Sequence, residues 1–469
     1  MKGIFYFPPN WRHSQPDVEI PSLLPYLRDF DITACDMNVQ YRIYQRGREN
    51  LDRCLERITE TVSEELSEKY NMIYHFLVRN KVRVEYILHD MERFVNPEKY
   101  ILTSLYEREL QLFQKSAYEK ECDINLWETV TDVIEKTDNE EENYYLDFYE
   151  SYFREHDLNN IDVVLIFPAG EQQIVSAFTL CRYIKKTYPD IKIIVGGKPF
   201  TGRINEIDQS WSTLFEKLFD FIMVYELEYA LPNLLRCIAG GQSVDSVPNC
   251  IHIQNNMVVK NAIDSRVVDI ESSPIPDFSS YYLASYNVPE IVLPYSMTRR
   301  CYEKQCTSCK HDFECGNGLQ IKSVEKVIND LCIYKEKYHA KYIHFTDESI
   351  PSEVIEKICH AILEKKLDIK WFTYIRASKQ YTKELCTLIQ QAGAVLVSDS
   401  AEVSSQNGHA SFLSYFTDTY IFEKEHLLFW IAEKRDCLYD TDMQREYKEK
   451  LAEYSQLRYW YDQDQAVCY

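Results

Sequence analysis

Residues 162–197 read DVVLIFPAGEQQIVSAFTLCRYIKKTYPDIKIIVGG, and the periodicity of this stretch decides the fold class. DVVLIF (162–167) is a continuous apolar run, the pattern of a strand buried on both faces. From Gln172 to Thr187 the apolar residues fall at three- and four-residue spacing, which predicts an amphipathic helix. IKIIVGG (191–197) is a second buried strand, closed by two glycines. A strand, a helix and a strand of these lengths form a crossover between parallel strands.

The alternation extends in both directions. Downstream come a short helix, LFEKLF (214–219), a strand, FIMVY (221–225), and a helix, ALPNLLRCIAGG (230–241), ended by glycines. Upstream, KGIFYF (2–7) reads as a strand ended by Pro8 and Pro9. A short helix from Ser22 to Arg28 and a strand, ITACD (32–36), follow it. These elements predict a doubly wound, Rossmann-like α/β domain over residues 1–240. It is interrupted at 41–155 by a charged helical insertion with no evident chemistry, in which DNEEEN (138–143) is a solvated acidic turn. Residues 241–289 read as a hairpin with an Asn-Asn turn (249–262) and a Pro/Ser-rich linker, SSPIPDFSSYY.

A second αβ series opens at 290 with EIVLPYS. It continues through a helix at 323–337, KYIHFTD (341–347), a helix at 352–366, IKWFTYIR (369–376), a helix at 382–392 and AVLVSD (394–399). Four β/α units in sequence predict a partial (β/α) barrel over 290–406. Residues 407–469 are aromatic and charged. Two helical runs, 420–435 and 441–457, make them a helical tail, whose aromatic residues would cover the open edge of a shortened barrel.

Composition excludes some functions. The net charge of -22 disfavours nucleic acid as a partner, because a nucleic-acid binder needs a basic stripe to displace counterions. No run of 18 or more apolar residues predicts a membrane span. The start, MKGIFYFPPNWRH, lacks the apolar core and cleavage site of a signal peptide, so a cytoplasmic location with reduced thiols is expected. Of the fifteen cysteines, Cys35, Cys54, Cys181, Cys332, Cys359 and Cys386 sit in apolar-periodic surroundings and read as small buried hydrophobes.

Four cysteines are gathered between 301 and 315. CYEKQCTSC (301–309) places Cys301, Cys306 and Cys309 in the spacing C-x4-C-x2-C, just after a strand. Thiolates this close converge on one centre at little closure cost. They suit zinc or an iron–sulfur cluster. With Cys315 as a fourth ligand the site would be a structural zinc centre. With three ligands, a cubane cluster keeps one iron open for a small molecule.

The order of these blocks resembles cobalamin-binding radical S-adenosylmethionine proteins of the kind that modify peptides and other natural products. The resemblance covers residues 1–406, with a shortened barrel. It rests on DVEIPSLLPYLRDFDITACDMN, on 162–197, on FDFIMVYELEYALPNLLRCIAGG, on the linker and cysteine loop, and on IHFTDESI and KWFTYIRA. It implies a 4Fe-4S cluster on Cys301, Cys306 and Cys309. It also implies cobalamin at a sheet edge carrying Pro8, Gln172, Gly196, Gly197 and Glu226, and S-adenosylmethionine or substrate facing Asp347, Arg376 and Glu402. The activity implied is methyl transfer to an unactivated carbon of a peptide or other small molecule, with a flavodoxin- or ferredoxin-type reductant. The chain departs from the pattern at Arg300, where the family has Gly, at Ser308, where it has an aromatic residue, and in the missing last barrel strands. The Asp-x-His-x-x-Gly signature that supplies a histidine to cobalt is absent. A catalytically impaired accessory homologue and a structural zinc protein are the alternative readings.

Overall fold

The computed structural model describes residues 1–90, 96–118, 130–139, 142–264, 268–300, 319–347, 350–375, 380, 382–399 and 429–431. The chain divides into two units, Met1–Arg266 with Pro276–Pro289, and Val267–Ile275 with Glu290–Tyr469.

In chain order the first unit runs β1 (Lys2–Phe7), α1 (Glu19–Leu23), β2 (Asp31–Asp36), α2 (Met37–Gln45), α3 (Arg48–Thr61), α4 (Glu64–Leu88), α5 (Pro97–Ser116), α6 (Val130–Asp138) and α7 (Tyr144–Glu155). It continues with β3 (Val163–Ile166), α8 (Ile174–Thr187), β4 (Lys192–Val195), α9 (Lys198–Gly202), α10 (Ser212–Lys217), β5 (Phe221–Met223), α11 (Ala230–Gly240), β6 (Cys250–Gln254) and β7 (Met257–Lys260). The sheet order is β2-β1-β3-β4-β5-β6-β7. The first five strands are parallel, with Tyr6 beside Ile166, Ile166 beside Val195 and Val195 beside Ile222. Every residue of β3 is buried, as its unbroken apolar run requires.

One expectation changes. The 249–262 hairpin is not a separate connector: β6 pairs antiparallel with β5 and extends the sheet. The exposed edge of β5 would otherwise present unpaired backbone groups, and the apolar residues of CIHIQ suit a covered position. The helical insertion packs in two parts. Leu51, Cys54 and Ile58 of α3, Leu77 of α4, and Tyr106, Leu110 and Phe113 of α5 build a hydrophobic cluster of their own. By contrast α2, α6 and α7 join the sheet's core through Tyr41, Val133, Tyr145, Phe148, Tyr149 and Phe153. The Tyr149 hydroxyl donates to Ser176 O at 3.0 Å, and Asn143 Nδ2 donates to Thr179 Oγ1 at 2.8 Å, so the α7 segment is bonded directly to α8.

The second unit contains β8 (Val292–Tyr295), β9 (Thr298–Arg299), β10 (Gln320–Ile321), α12 (Val324–Tyr338), β11 (Tyr342–Phe345), α13 (Ser352–Glu364), β12 (Lys370–Ile375), α14 (Lys383–Gln391), β13 (Ala394–Asp399) and β14 (Phe429–Ile431). Its main sheet, β14-β13-β12-β11-β8, is parallel throughout. The β/α alternation is the one read from the sequence. One part of the tail reading is corrected: β14 lies within the expected 420–435 helix and pairs parallel with β13. A Phe-Trp-Ile triplet favours a pleated surface, and the β13 edge supplies unsatisfied backbone partners. The rest of the tail lies outside the described residues. Among those described, no helix is long and apolar enough to cross a membrane.

Candidate functional site

In a parallel sheet all C-terminal strand ends share one edge, where ligands of doubly wound folds collect. Pro8, Gln172, Gly196, Gly197 and Glu226 follow β1, β3, β4 and β5, so the fold brings all five to that edge. Their roles differ. Gly197 has φ +98°, and a Cβ there would stand 2.5 Å from Pro168 O. A Cβ on Gly196 would stand 2.7 Å from Phe167 Cζ and 3.0 Å from Met223 O. Close packing of the chain on itself therefore accounts for both glycines. Gln172 is half-buried, whereas its neighbour Gln173 is fully buried. Gln173 Oε1 accepts from Ala169 N at 2.8 Å and Gly170 N at 3.1 Å, and Nε2 donates to Pro8 O at 2.6 Å. Gln173 thus fastens the loop after β3 to the loop after β1. Glu226 O accepts from Asn249 Nδ2 at 2.9 Å, and the preceding Tyr225 is left-handed at φ 59°.

Two buried carboxyls that the sequence reading missed lie at the same end of the sheet. Asp36, the last residue of β2, caps α2 by accepting from Asn38 N and Val39 N, and accepts from Tyr286 OH at 2.5 Å. Asp17 accepts from Ile20 N at 2.8 Å and Tyr281 OH at 3.0 Å. Tyr281 and Tyr286 come from the segment read as a linker, which is seated in the first unit by these two phenols. Burial pushes Asp17 up to about 7 and Asp36 up to about 6, against the hydrogen bonds that favour the charged forms. A raised carboxyl pKa means the native state holds a proton that the unfolded chain has released. The associated stability is present at low pH and is lost as pH rises through about 6 to 7. Acidification from pH 8 to 5 is expected to stabilise this part of the chain by a few kcal/mol through these groups, because a tenfold gain in proton affinity on folding is worth about 1.4 kcal/mol. His13, held neutral by burial and by Arg42, pulls the opposite way. The measurement is therefore the difference in urea midpoint between wild type and the Asp17→Asn, Asp36→Asn double variant. Equal pH slopes in the two proteins would refute this assignment.

In the second unit, Asp347 follows β11 and is 3% exposed. Its carboxylate accepts from Ser296 Oγ at 3.1 Å, Met297 N at 3.0 Å, Thr298 N at 2.6 Å and Thr298 Oγ1 at 2.7 Å. The side chain expected to face a cofactor or substrate is thus directed at the segment joining β8 to β9. Burial raises its pKa while these bonds lower it. Beyond β9 comes the cysteine loop. Thr298 pairs with Ile321 and Arg299 with Gln320, so the strands on either side of the loop meet in an antiparallel ladder. Lys322 N donates to Met297 O at 3.0 Å, and Lys322 Nζ donates to Ser296 O at 2.8 Å. Cys301, Cys306, Cys309 and Cys315, together with Ser308, Arg376 and Glu402, lie outside the described residues. Among the described residues, no group of three or more His, Cys, Asp and Glu side chains converges as a metal site.

Arg300, which stands where the resembling proteins carry Gly, has φ 73°. The chain enters the loop through a left-handed L-residue, at a cost of about 1–2 kcal/mol. Part of that is offset by the lower unfolded-state entropy of a non-glycine residue. Arg300→Gly is expected to raise stability by about 0.5–1 kcal/mol, read as a higher urea midpoint at unchanged slope. A lower midpoint would show that the guanidinium's contacts outweigh the backbone cost.

A doubly wound sheet with antiparallel additions, and a second, parallel β/α sheet, make a fold similar to that of solved cobalamin-dependent radical S-adenosylmethionine enzymes. The chain superposes on TsrM from Kitasatospora setae, a radical S-adenosylmethionine methyltransferase with cobalamin and a 4Fe-4S cluster bound. The TM-score is 0.53 at 12% identity, over 92% of this chain and 69% of that one. Against the same protein with tryptophan substrate and an aza analogue of S-adenosylmethionine bound, the TM-score is 0.53 at 10% identity, over 92% and 67% of the two chains. In sequence the chain is 22% identical over 247 residues to an uncharacterized methyltransferase of Pyrococcus horikoshii, covering 52% of each. It therefore spans about half the length of the curated relative it matches. No family profile matches the chain.

Proposed function

We propose that this chain is a radical S-adenosylmethionine enzyme that holds a 4Fe-4S cluster on Cys301, Cys306 and Cys309. In this reading it uses cobalamin for methyl transfer to a carbon of a small-molecule or peptide precursor, in the cytoplasm, with a flavodoxin- or ferredoxin-type reductant. The observation that supports the reading is the position of CYEKQCTSC in the sequence, after β8 and β9 and before β10, the partner of β9, in the second unit of this fold. The donor set fits: three thiolates ligate three irons and leave one open. For cobalamin, the candidate surface is the sheet edge of Pro8, Gln172 and Glu226. The two glycines shape that edge through their own packing and do not by themselves select a ligand.

When bound, the cluster supplies one-electron reduction of S-adenosylmethionine and cobalamin supplies a methyl carrier. The chain's part is to bind, orient and exclude water. Gln173 ties two of the edge loops together, and Asp347 fixes the approach to the cysteines. Asp347, which follows β11, and Arg376 and Glu402, which come after β12 and β13 in the sequence, are the residues we assign to the neighbourhood of S-adenosylmethionine or substrate. Asp347 acts there through the loop it holds.

The test is anaerobic purification and reconstitution, followed by iron, sulfide, zinc and cobalamin analysis and by assay of S-adenosylmethionine cleavage. About four irons per chain and deoxyadenosine or methylated product are expected. Iron without turnover would favour an accessory role. One zinc and no iron would favour a structural centre, a reading motivated by Cys315 lying between the same paired strands.

A further inference from the structure

We propose that His13, Arg42 and Arg46 form a binding site for the carboxylate of a small organic acid. All three belong to the first unit, and the site asks nothing of the cysteines. The loop after β1 is fastened to the head of α2: Trp11 N donates to Asn38 Oδ1 at 2.9 Å, and Asn38 Nδ2 donates to Arg12 O at 2.8 Å. Asn287 N donates to His13 O at 3.1 Å. These bonds set His13 beside Arg42, which lies one turn along α2 from Asn38, and Arg46 follows a turn later at the C-cap.

The hydrogen-bonding groups gathered here are mostly donors. Burial, followed by the charges of Arg42 and Arg46, lowers the His13 pKa and holds the ring neutral. A neutral imidazole has one acceptor nitrogen and one N–H, whereas a guanidinium only donates. Arg42 Nε stands 3.2 Å from His13 Nδ1, and Arg42 Nη2 lies against His13 Nε2. If Nδ1 accepts, Nε2 carries the hydrogen and faces a second donor. The other tautomer moves the conflict to Nδ1, which also has the Asn38 amide nitrogen at 3.4 Å. In either tautomer a donor meets a donor, and an acceptor between them is missing. Arg46 adds to the surplus. Its Nε is buried with no hydrogen-bond partner among the described residues, and its Nη1 reaches Asn287 Oδ1 only at 3.4 Å. Tyr106 OH of α5, close enough to Arg46 and Glu107 to feel both charges, is buried without a partner too.

The charges are also unequal. Glu107 of α5 stands 2.5 Å from Arg46 Nη2 and 3.8 Å from Arg42 Nη1. Among the described residues it is the carboxylate within ion-pair distance of these two guanidiniums. Glu85 acts on Arg46 from further away and is paired with Lys81. One positive charge is therefore left unbalanced where the Arg42 and Arg46 side chains are 15% and 6% exposed. A buried charge without a partner is costly. A water molecule satisfies the donors but leaves the charge. A carboxylate does both: its two oxygens match a guanidinium fork, and its single charge equals the deficit. Phosphate carries more charge than the site lacks. The partial exposure of Arg42 and Glu107 leaves a route in from solvent.

The experiment uses the full chain, dialysed into sodium chloride. The melting temperature is followed as acetate rises to about 100 mM, with chloride lowered to hold the ionic strength. Wild type is expected to gain about 5 °C as the site fills. Arg42→Gln is expected to lose most of that gain, and Arg42→Lys, which keeps the charge without the fork, to retain part of it. Arg236→Gln, at an exposed arginine on α11, is expected to respond as wild type does. An equal acetate response in wild type and Arg42→Gln would overturn the proposal. No response in wild type would overturn it as well, leaving water as the missing acceptor. A larger response to phosphate than to acetate at matched ionic strength would overturn the assignment to a carboxylate. Should Arg42→Gln fail to fold, as judged by far-UV circular dichroism, Arg46→Gln decides by the same comparison.

Discussion

Replacing Cys301, Cys306 and Cys309 together by alanine is expected to take the reconstituted protein from about four irons per chain to none, with loss of S-adenosylmethionine cleavage. The size of the effect follows in part from how poorly five of the described cysteines would substitute. A thiol ligates iron as a thiolate, and a thiol buried in apolar surroundings resists ionisation. Burial pushes Cys54, Cys250 and Cys359 up to about 12, and Cys181 is raised further in the same direction. Cys35 is also pushed to about 12 by burial, against its contact with the Tyr152 hydroxyl. These five thiols are therefore poor candidates to take over. No alternative cluster of His, Cys, Asp and Glu exists among the described residues. Cys315→Ala is the discriminating companion: it keeps the iron if three cysteines ligate a cluster, and loses the metal if four hold zinc. A triple variant that retained iron and sulfide at wild-type stoichiometry would end the cluster assignment.

Gly197→Ala is expected to cost more than about 3 kcal/mol, enough to remove most of a typical domain's margin and to appear as loss of soluble protein or a collapse of the urea midpoint. Two separate penalties combine. With φ +98° and ψ 178°, Gly197 occupies a region essentially confined to glycine. A Cβ there would also lie 2.5 Å from Pro168 O, and that oxygen belongs to backbone directly following a fully buried strand. Neither strand end can retreat, because Ile194 and Val195 of β4 and Leu165 and Ile166 of β3 are completely buried and in register. Gly196→Ala is expected to be milder, since the nearest atom is the tip of the Phe167 ring. Gly202→Ala provides the control: a Cβ there meets nothing within 4 Å, so a change within about 0.5 kcal/mol is expected. A Gly197→Ala protein as stable as Gly202→Ala would show that the backbone at the end of β4 is freer than its packing implies.

The same glycines show where a linear reading stops. The pair after IKIIV reads equally well as a strand terminator or as a surface for a close-fitting ligand, and the letters do not separate these. The packed sheet identifies Pro168 O and Phe167 as the atoms that demand glycine. Gln172 and Gln173 pose a similar problem. They are chemically identical neighbours at the head of a helix, and only the burial of Gln173 against Pro8 O shows which one holds the edge together. Asp36 was within reach of the sequence, because an aspartate between a strand and an apolar-periodic run is a helix cap. Asp17 was not.

By itself the sequence determined the two αβ series, because a buried parallel strand and an amphipathic helix each write their period into neighbouring residues. It also determined the cysteine loop and its position after a strand, since ligand spacing on one loop is a local property. Tertiary structure alone decided the pairs that join distant parts of the chain. Asp17 receives a phenol from 264 residues away and Asp36 one from 250, which turns an apparent linker into a seated segment. Asp347 reaches back across 50 residues to Met297, just before the cysteine-bearing stretch. Such pairs have no period and no fixed spacing. They arise because the fold buries polar groups that must find partners, and only three dimensions show which partners are near.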